Sequence, residues 1–237
     1  MNIYTDKMIL DFEDECPDFK PFIMLKDRNP DNKYLLSDYV LKYVEMRGSF
    51  FLMISGNIGS GKSIASISLA EDIDSKFNID RIIFNIDDLE NTLQQKHPKG
   101  SVFLFEDINI SNYSKQQYME IYERFLSALE RFKNNNWILI LTITNPNIME
   151  KDVRTQINGF AEMIRGDDGS MGWLRYFNVY YDKKQNVLIH RFIRLIYEDG
   201  RTQIIKGRDH DSANMKFELP SEVIVKEYKK KLVEMKK

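Results

Sequence analysis

The chain of 237 residues is 43% hydrophobic and 30% charged, and its 34 basic and 36 acidic side chains leave a net charge of −2. Such a length holds one large domain, or a domain with a substantial addition, around a sizeable core. The near-neutral balance excludes a global field that attracts nucleic acid, though not a local basic face, and the single cysteine, Cys16, excludes an intrachain disulfide framework and suits a reducing compartment.

At the amino end, MNIYTDKMILDFEDE is acidic and lacks the apolar stretch of a signal peptide, and the longest apolar run, WILILTI, is too short to span a bilayer. The expectation is a protein of the cytoplasm, or one associated with a virus inside its host cell, without an integral membrane segment. Residues 1–48 read as an N-terminal extension, in which the turn-rich KDRNPDNK precedes a helix over Leu35–Met46. From 49 to 165, apolar strands alternate with amphipathic helices, which predicts an α/β core with a mainly parallel sheet flanked by helices. Strands are expected at Phe50–Ile54, Arg81–Ile86, Val102–Phe105, Trp137–Thr144 and Phe160–Ile164, because buried parallel strands read as nearly continuous apolar runs. Residues 166–237 change character. WLRYFNVYYDKKQNVLIHRFIRLIYEDGRTQIIKG, with turns at DKKQN and EDG, predicts an antiparallel β-meander. LPSEVIVKEYKKKLVEMKK predicts a closing helix with Ile224, Tyr228, Leu232 and Met235 along one side. Meander and helix are read as packed on the core.

The segment GNIGSGKS, Gly56 to Ser63, fits G-x-x-x-x-G-K-[ST] between a strand and a helix. Gly56, Gly59 and Gly61 keep side chains out of a tight loop. The N–H groups of Gly56, Asn57, Ile58, Gly59, Ser60, Gly61, Lys62, Ser63 and Ile64 can then surround a chain of phosphates. Lys62 reaches the β- and γ-phosphates, the Ser63 hydroxyl suits Mg²⁺, and the helix starting near Lys62 adds the positive end of its dipole.

A phosphate loop needs a carboxylate near its metal. VFLFEDI supplies Glu106 and Asp107 at a strand's C-terminal end, the ligand edge of a parallel sheet. By position Glu106 takes the metal role and Asp107 the base role, Asp107 also being within reach of the metal; the plainer reading is a loop cap. WILILTITNPN ends in Thr142, Thr144 and Asn145, and Asn145 suits a γ-phosphate sensor as well as it suits turn chemistry.

Between these strands, SKQQYMEIYERFLSALERFKNNN places Tyr118, Ile121, Tyr122, Phe125, Leu129 and Phe132 on one helical side. Glu120, Glu123, Arg124, Ser127, Glu130 and Arg131 fall on the other. That side is a solvated surface with Glu120–Arg124 spacing, or an interface offering Arg124 or Arg131 to a neighbour's nucleotide. Arg154 and Arg165 in MEKDVRTQINGFAEMIRGDD are further trans candidates. His97, His190 and His210 are too scattered for a metal site. GDDGSMG at 166–172 reads as a loop, and RDHD at 208–211 as an exposed one.

In order, the phosphate loop, NIDD, VFLFED and ILILTITN resemble the P-loop ATPases with an additional catalytic acid. With KDVRTQINGFAEM, they are most similar to small archaeal and viral ATPases related to the HerA–FtsK DNA-pumping group. The resemblance covers about residues 49–165. It implies a RecA-like fold, ATP and Mg as cofactors, a homo-oligomer such as a hexameric ring, and DNA as partner. The Glu106–Asp107 order reverses the usual Asp–Glu of that group.

The leading reading is therefore Mg-dependent ATP hydrolysis by a ring-forming motor that moves or packages DNA. A nucleotide-switched assembly or loading ATPase with slow turnover is the first alternative, and a small-molecule P-loop kinase the second.

Overall fold

The structure, a computed structural model, describes residues 22–25, 35–106, 115–146, 149–164, 173–182, 187–191, 194–197, 202–204 and 219–235. Asp107, Arg165, His210, the KDRNPDNK turn and the 166–172 and 208–211 stretches lie outside the described residues.

In chain order, β1 (Phe22–Leu25) and α1 (Leu35–Arg47) lead into β2 (Phe50–Ser55) and α2 (Lys62–Ile73). A 3-10 turn at Ile79–Arg81 then precedes β3 (Ile82–Ile83), α3 (Ile86–Leu93) and β4 (Val102–Phe105). Next come α4 (Lys115–Asn135), β5 (Ile138–Ile143), α5 (Lys151–Arg154) and β6 (Gly159–Ile164). The last part holds β7 (Trp173–Asp182), β8 (Val187–Arg191), β9 (Arg194–Tyr197), β10 (Thr202–Ile204) and α6 (Glu222–Met235).

Seven strands make the main sheet in the order β3–β4–β5–β2–β6–β7–β8. The pairs β3–β4, β4–β5, β5–β2 and β2–β6 are parallel, and β6–β7 and β7–β8 antiparallel. Every residue of β2, β4 and β5 is buried, as strands covered on both faces require. Alternate side chains feed two cores. Phe50, Leu52, Ile54, Val102, Leu104, Ile138 and Ile140 pack with Tyr39 of α1, Ala65 and Leu69 of α2, Leu174 and Tyr176 of β7, and Ile224 and Tyr228 of α6. Phe51, Met53, Phe103, Phe105, Leu139 and Leu141 pack on the opposite face with Leu89 of α3, Phe125, Leu129 and Phe132 of α4, and Val153 of α5. The α/β class with a mainly parallel, helix-flanked sheet is thus as expected.

Two expectations need correction. The strand expected over Arg81–Ile86 is only Ile82–Ile83, because Asn85 caps α3: its side chain accepts a hydrogen bond from the Asp88 N–H, and the chain turns helical at Ile86. The expected meander is divided between two sheets. β7 and β8 extend the main sheet, whereas β9 pairs antiparallel with β10 and parallel with β1 in a three-stranded sheet of order β1–β9–β10. Pairing with a strand more than 160 residues earlier is invisible to local periodicity.

A buried polar group ties α1 to β7. Tyr39 and Tyr176 donate to one acceptor, Asn178 Oδ1, at 2.9 and 3.2 Å. Burial pushes both phenol pKa values well above the usual range.

Candidate nucleotide site

The Phe50–Ser55 run ends at the sheet's C-terminal edge, and the chain then curls through residues 56–61 into α2. Gly56 lies tight against its surroundings: a Cβ there would meet Ser60 Oγ at 2.7 Å and Met163 Cβ at 2.9 Å. Gly61, with φ of 95°, adopts the left-handed conformation that starts α2 without a side-chain cap. The N-terminal amides of α2 and its dipole therefore form an anion-favouring end. Ile58 is 89% exposed, so only its backbone can serve a phosphate.

Lys62 is buried, and its Nζ donates to the carbonyl oxygens of Gly56 at 2.8 Å and Asn57 at 3.1 Å. The ammonium group is thus folded over the loop it would share with a ligand's phosphates. Ser63, the next residue of α2, donates its hydroxyl to Glu106 Oε1. Strand alternation explains why Glu106 is the acid that faces α2. It has the parity of Val102 and Leu104, which pack on the α1–α2 side, and its N–H continues the ladder to Ile83 O at 2.8 Å.

β5 runs between β4 and β2, with Ile54 opposite Thr142 and Phe105 opposite Leu141. Thr142 is fully buried and has the same parity as Ile138 and Ile140, so it belongs to the face that carries Glu106. Thr144 and Asn145 lie past the strand end and are exposed. Thr142 is thus a polar side chain on the strand between β4 and β2, with Asn145 following at its end.

The arginines are dispersed. Arg124 reaches α3, not Glu120: its Nε donates to Glu90 Oε1 at 3.0 Å, and its Nη2 to Glu90 Oε2 at 2.7 Å and Asp87 Oδ1 at 2.5 Å. These bonds raise the Arg124 pKa, and the bond from Arg124 is the main cause of the lowered Glu90 pKa. Arg131 is exposed on α4, and Arg154 ends α5 with its Nε buried. His97 packs edge-on against Phe103 and Trp137, and His190 against Phe160 and Phe177.

One residue of the site escaped the sequence reading. Tyr228 of α6 donates its hydroxyl to Glu106 Oε1 at 3.2 Å, 122 residues away. In the sequence it is one more member of an apolar helical stripe, and nothing local places that helix over the end of β4.

The donor set fits Mg²⁺. A serine hydroxyl and a buried carboxylate, both hard oxygen ligands, meet beside a phosphate-type loop. Magnesium takes few protein ligands and completes its shell with water and phosphate oxygens. Among the described residues, no group of three or more His, Cys, Asp or Glu is placed to hold a metal. Among the same residues, no helix is long and apolar enough to cross a membrane.

Solved structures similar to this chain include the N-terminal domain of zonular occludens toxin from Neisseria meningitidis, 12% identical over 66% of this chain and 93% of that one, with a TM-score of 0.38. A DNA polymerase III gamma subunit-related protein from Thermotoga maritima is 11% identical over 56% of this chain and 47% of that one, with a TM-score of 0.41. The flagellar accessory protein FlaH from Methanocaldococcus jannaschii is 11% identical over 78% and 85%, with a TM-score of 0.25. A search of curated proteins returned no match. The family model of Novel STAND NTPase 3 matches residues 42–165, just over half of the chain and the whole span from phosphate loop to β6; the chain belongs to this family of P-loop enzymes that hydrolyse nucleoside triphosphates.

Proposed function

We propose that the chain is a Mg-dependent ATP hydrolase, working as a ring-forming motor that moves or packages DNA. The observation that carries the hydrolytic site is the bond between Ser63 and Glu106 beside the folded-back Lys62. In this reading the 56–64 backbone cradles the triphosphate, and Lys62 neutralises charge on its β- and γ-phosphates. Ser63 and Glu106 would hold the magnesium ion, and Asp107 follows Glu106 in the sequence. When bound, that ion screens the phosphate charge. Asp107 accepts a proton from the attacking water, and Thr142 or Asn145 orients that water. β5 between β4 and β2 supports hydrolysis over a kinase reaction, because it adds a polar strand end beside the acid.

The motor assignment draws on the resemblance to the HerA–FtsK group. It calls for a homo-oligomer, hexameric in the resembling group, in which Arg131, Arg154 or Arg165 reaches a neighbour's nucleotide. The switch-like assembly ATPase is the second reading. It is favoured by Arg124, which its own chain holds through Glu90 and Asp87, and by the contact of α6 with Glu106.

One experiment separates them: size the purified protein with and without a non-hydrolysable ATP analogue and duplex DNA, recording ATP turnover on the same samples. Turnover stimulated by DNA in an oligomer supports the motor. Nucleotide-driven assembly with turnover near background supports the switch. Phosphoryl transfer to a nucleoside with little hydrolysis refutes both.

A further inference from the structure

α6 is anchored at three levels. At its start, the Ser221 N–H and hydroxyl donate to the two carboxylate oxygens of Glu71 on α2, at 2.7 and 2.6 Å. In its middle, Tyr228 is buried, with its ring stacked on Phe84 at 6.0 Å between centroids. One turn on, Lys231 Nζ donates to Ile82 O at 3.0 Å and sits 5.2 Å above the Phe84 ring. With the helix anchored on either side of it, Tyr228 directs its hydroxyl to Glu106 Oε1 at 3.2 Å. That same oxygen accepts the hydroxyl of Ser63.

We propose that Tyr228 is a positioning residue for the metal half of the nucleotide site. It fixes the Glu106 carboxylate in the orientation that faces Ser63, and so makes metal affinity depend on the docking of α6. The inference rests on the reading of Ser63 and Glu106 as the magnesium-holding pair. Hydrogen bonds from behind a ligating carboxylate orient it, and their loss typically lowers metal affinity by about 10- to 100-fold. A tyrosine that only fills space would act through its ring, which phenylalanine keeps. The hydroxyl is the group that separates the two roles.

The test is calorimetric binding of ADP to the full chain, with excess chelator and with MgCl₂, for wild type and Tyr228→Phe. The readout is the ratio of the two affinities, not turnover. The expected result is an unchanged metal-free affinity and a magnesium enhancement about tenfold smaller in the variant. An equal enhancement in both proteins overturns the proposal, whatever the change in thermal stability. Should Tyr228→Phe not fold, the double variant Ser221→Ala, Lys231→Met loosens α6 and leaves Tyr228 in place. A reduced enhancement there supports the proposal, and a wild-type enhancement refutes it. Wild-type protein that binds ADP equally with and without magnesium overturns the underlying reading of the Ser63–Glu106 pair instead.

Discussion

Ser63 at the start of α2 and Glu106 at the end of β4 are 43 residues apart in the chain and share a hydrogen bond. β5 lies between β4 and β2, the strands that lead to these two residues. The bond brings a hydroxyl and a carboxylate to one rim of the sheet, where the N-terminus of α2 also points.

Lys62→Ala removes the ammonium that now bonds to the Gly56 and Asn57 carbonyls. A hydrogen bond to a charged partner contributes about 1.5–3 kcal/mol, and in the proposed site Lys62 would serve more than one phosphate oxygen. ADP affinity is expected to fall by about a hundredfold or more. Calorimetry measures it, and circular dichroism checks that the fold persists. Wild-type affinity would remove Lys62 from the site.

Glu106→Gln and Asp107→Asn separate metal holding from proton transfer. The first is expected to raise the magnesium concentration needed for half-maximal turnover. The second is expected to keep nucleotide affinity while turnover falls by about 100-fold or more, as loss of a general base does. A magnesium titration of ATPase rate distinguishes the variants. Wild-type turnover in both would exclude the acidic pair from the chemistry.

Arg124→Ala tests whether the α4–α3 ion pairs serve the fold. The Glu90 carboxyl has a lowered pKa, mainly through the bond from Arg124. A group with a lowered folded pKa stabilises the protein above its unfolded value, and this contribution disappears as pH falls through the folded value. Wild type should therefore melt above the variant at neutral pH, and the gap should close in acid. Thermal unfolding across that range measures the gap. Because its own chain binds Arg124, turnover should be unchanged in the variant. A large loss of turnover, restored by mixing with site-dead subunits, would instead establish a role in trans.

Asn178→Ala probes whether α1 and β7, which its side chain ties together, unfold in one step with the 49–165 core, as we propose. The substitution strands the Tyr39 and Tyr176 hydroxyls in a buried place. A buried polar group without its partner costs about 1–3 kcal/mol. A single cooperative denaturation shifted to lower denaturant is expected. Two separate transitions would show independent units.

Some of this protein could be read from the chain alone because the relevant interactions are local. The phosphate loop is eight contiguous residues, Gly56 to Ser63, and backbone geometry there follows directly from where the glycines fall. Burial on both faces left its mark in the apolar runs of β2, β4 and β5. The stripe Phe125, Leu129 and Phe132 announced the buried side of α4. At residues 84–86 a competing local signal prevails, and the capping of α3 by Asn85 ends the strand after Ile83.

What the tertiary structure alone decided is which distant elements became neighbours. Periodicity reports the face a side chain takes, not the partner it meets there. The seating of β5 between β4 and β2, the pairing of β9 with β1, and the bonds of Arg124 to α3 are such choices. So is the placing of α6 over β4, which turned a helical tyrosine into a partner of Glu106. Each is a contact whose free energy is gained only after a long loop has closed, and no short window of sequence records it.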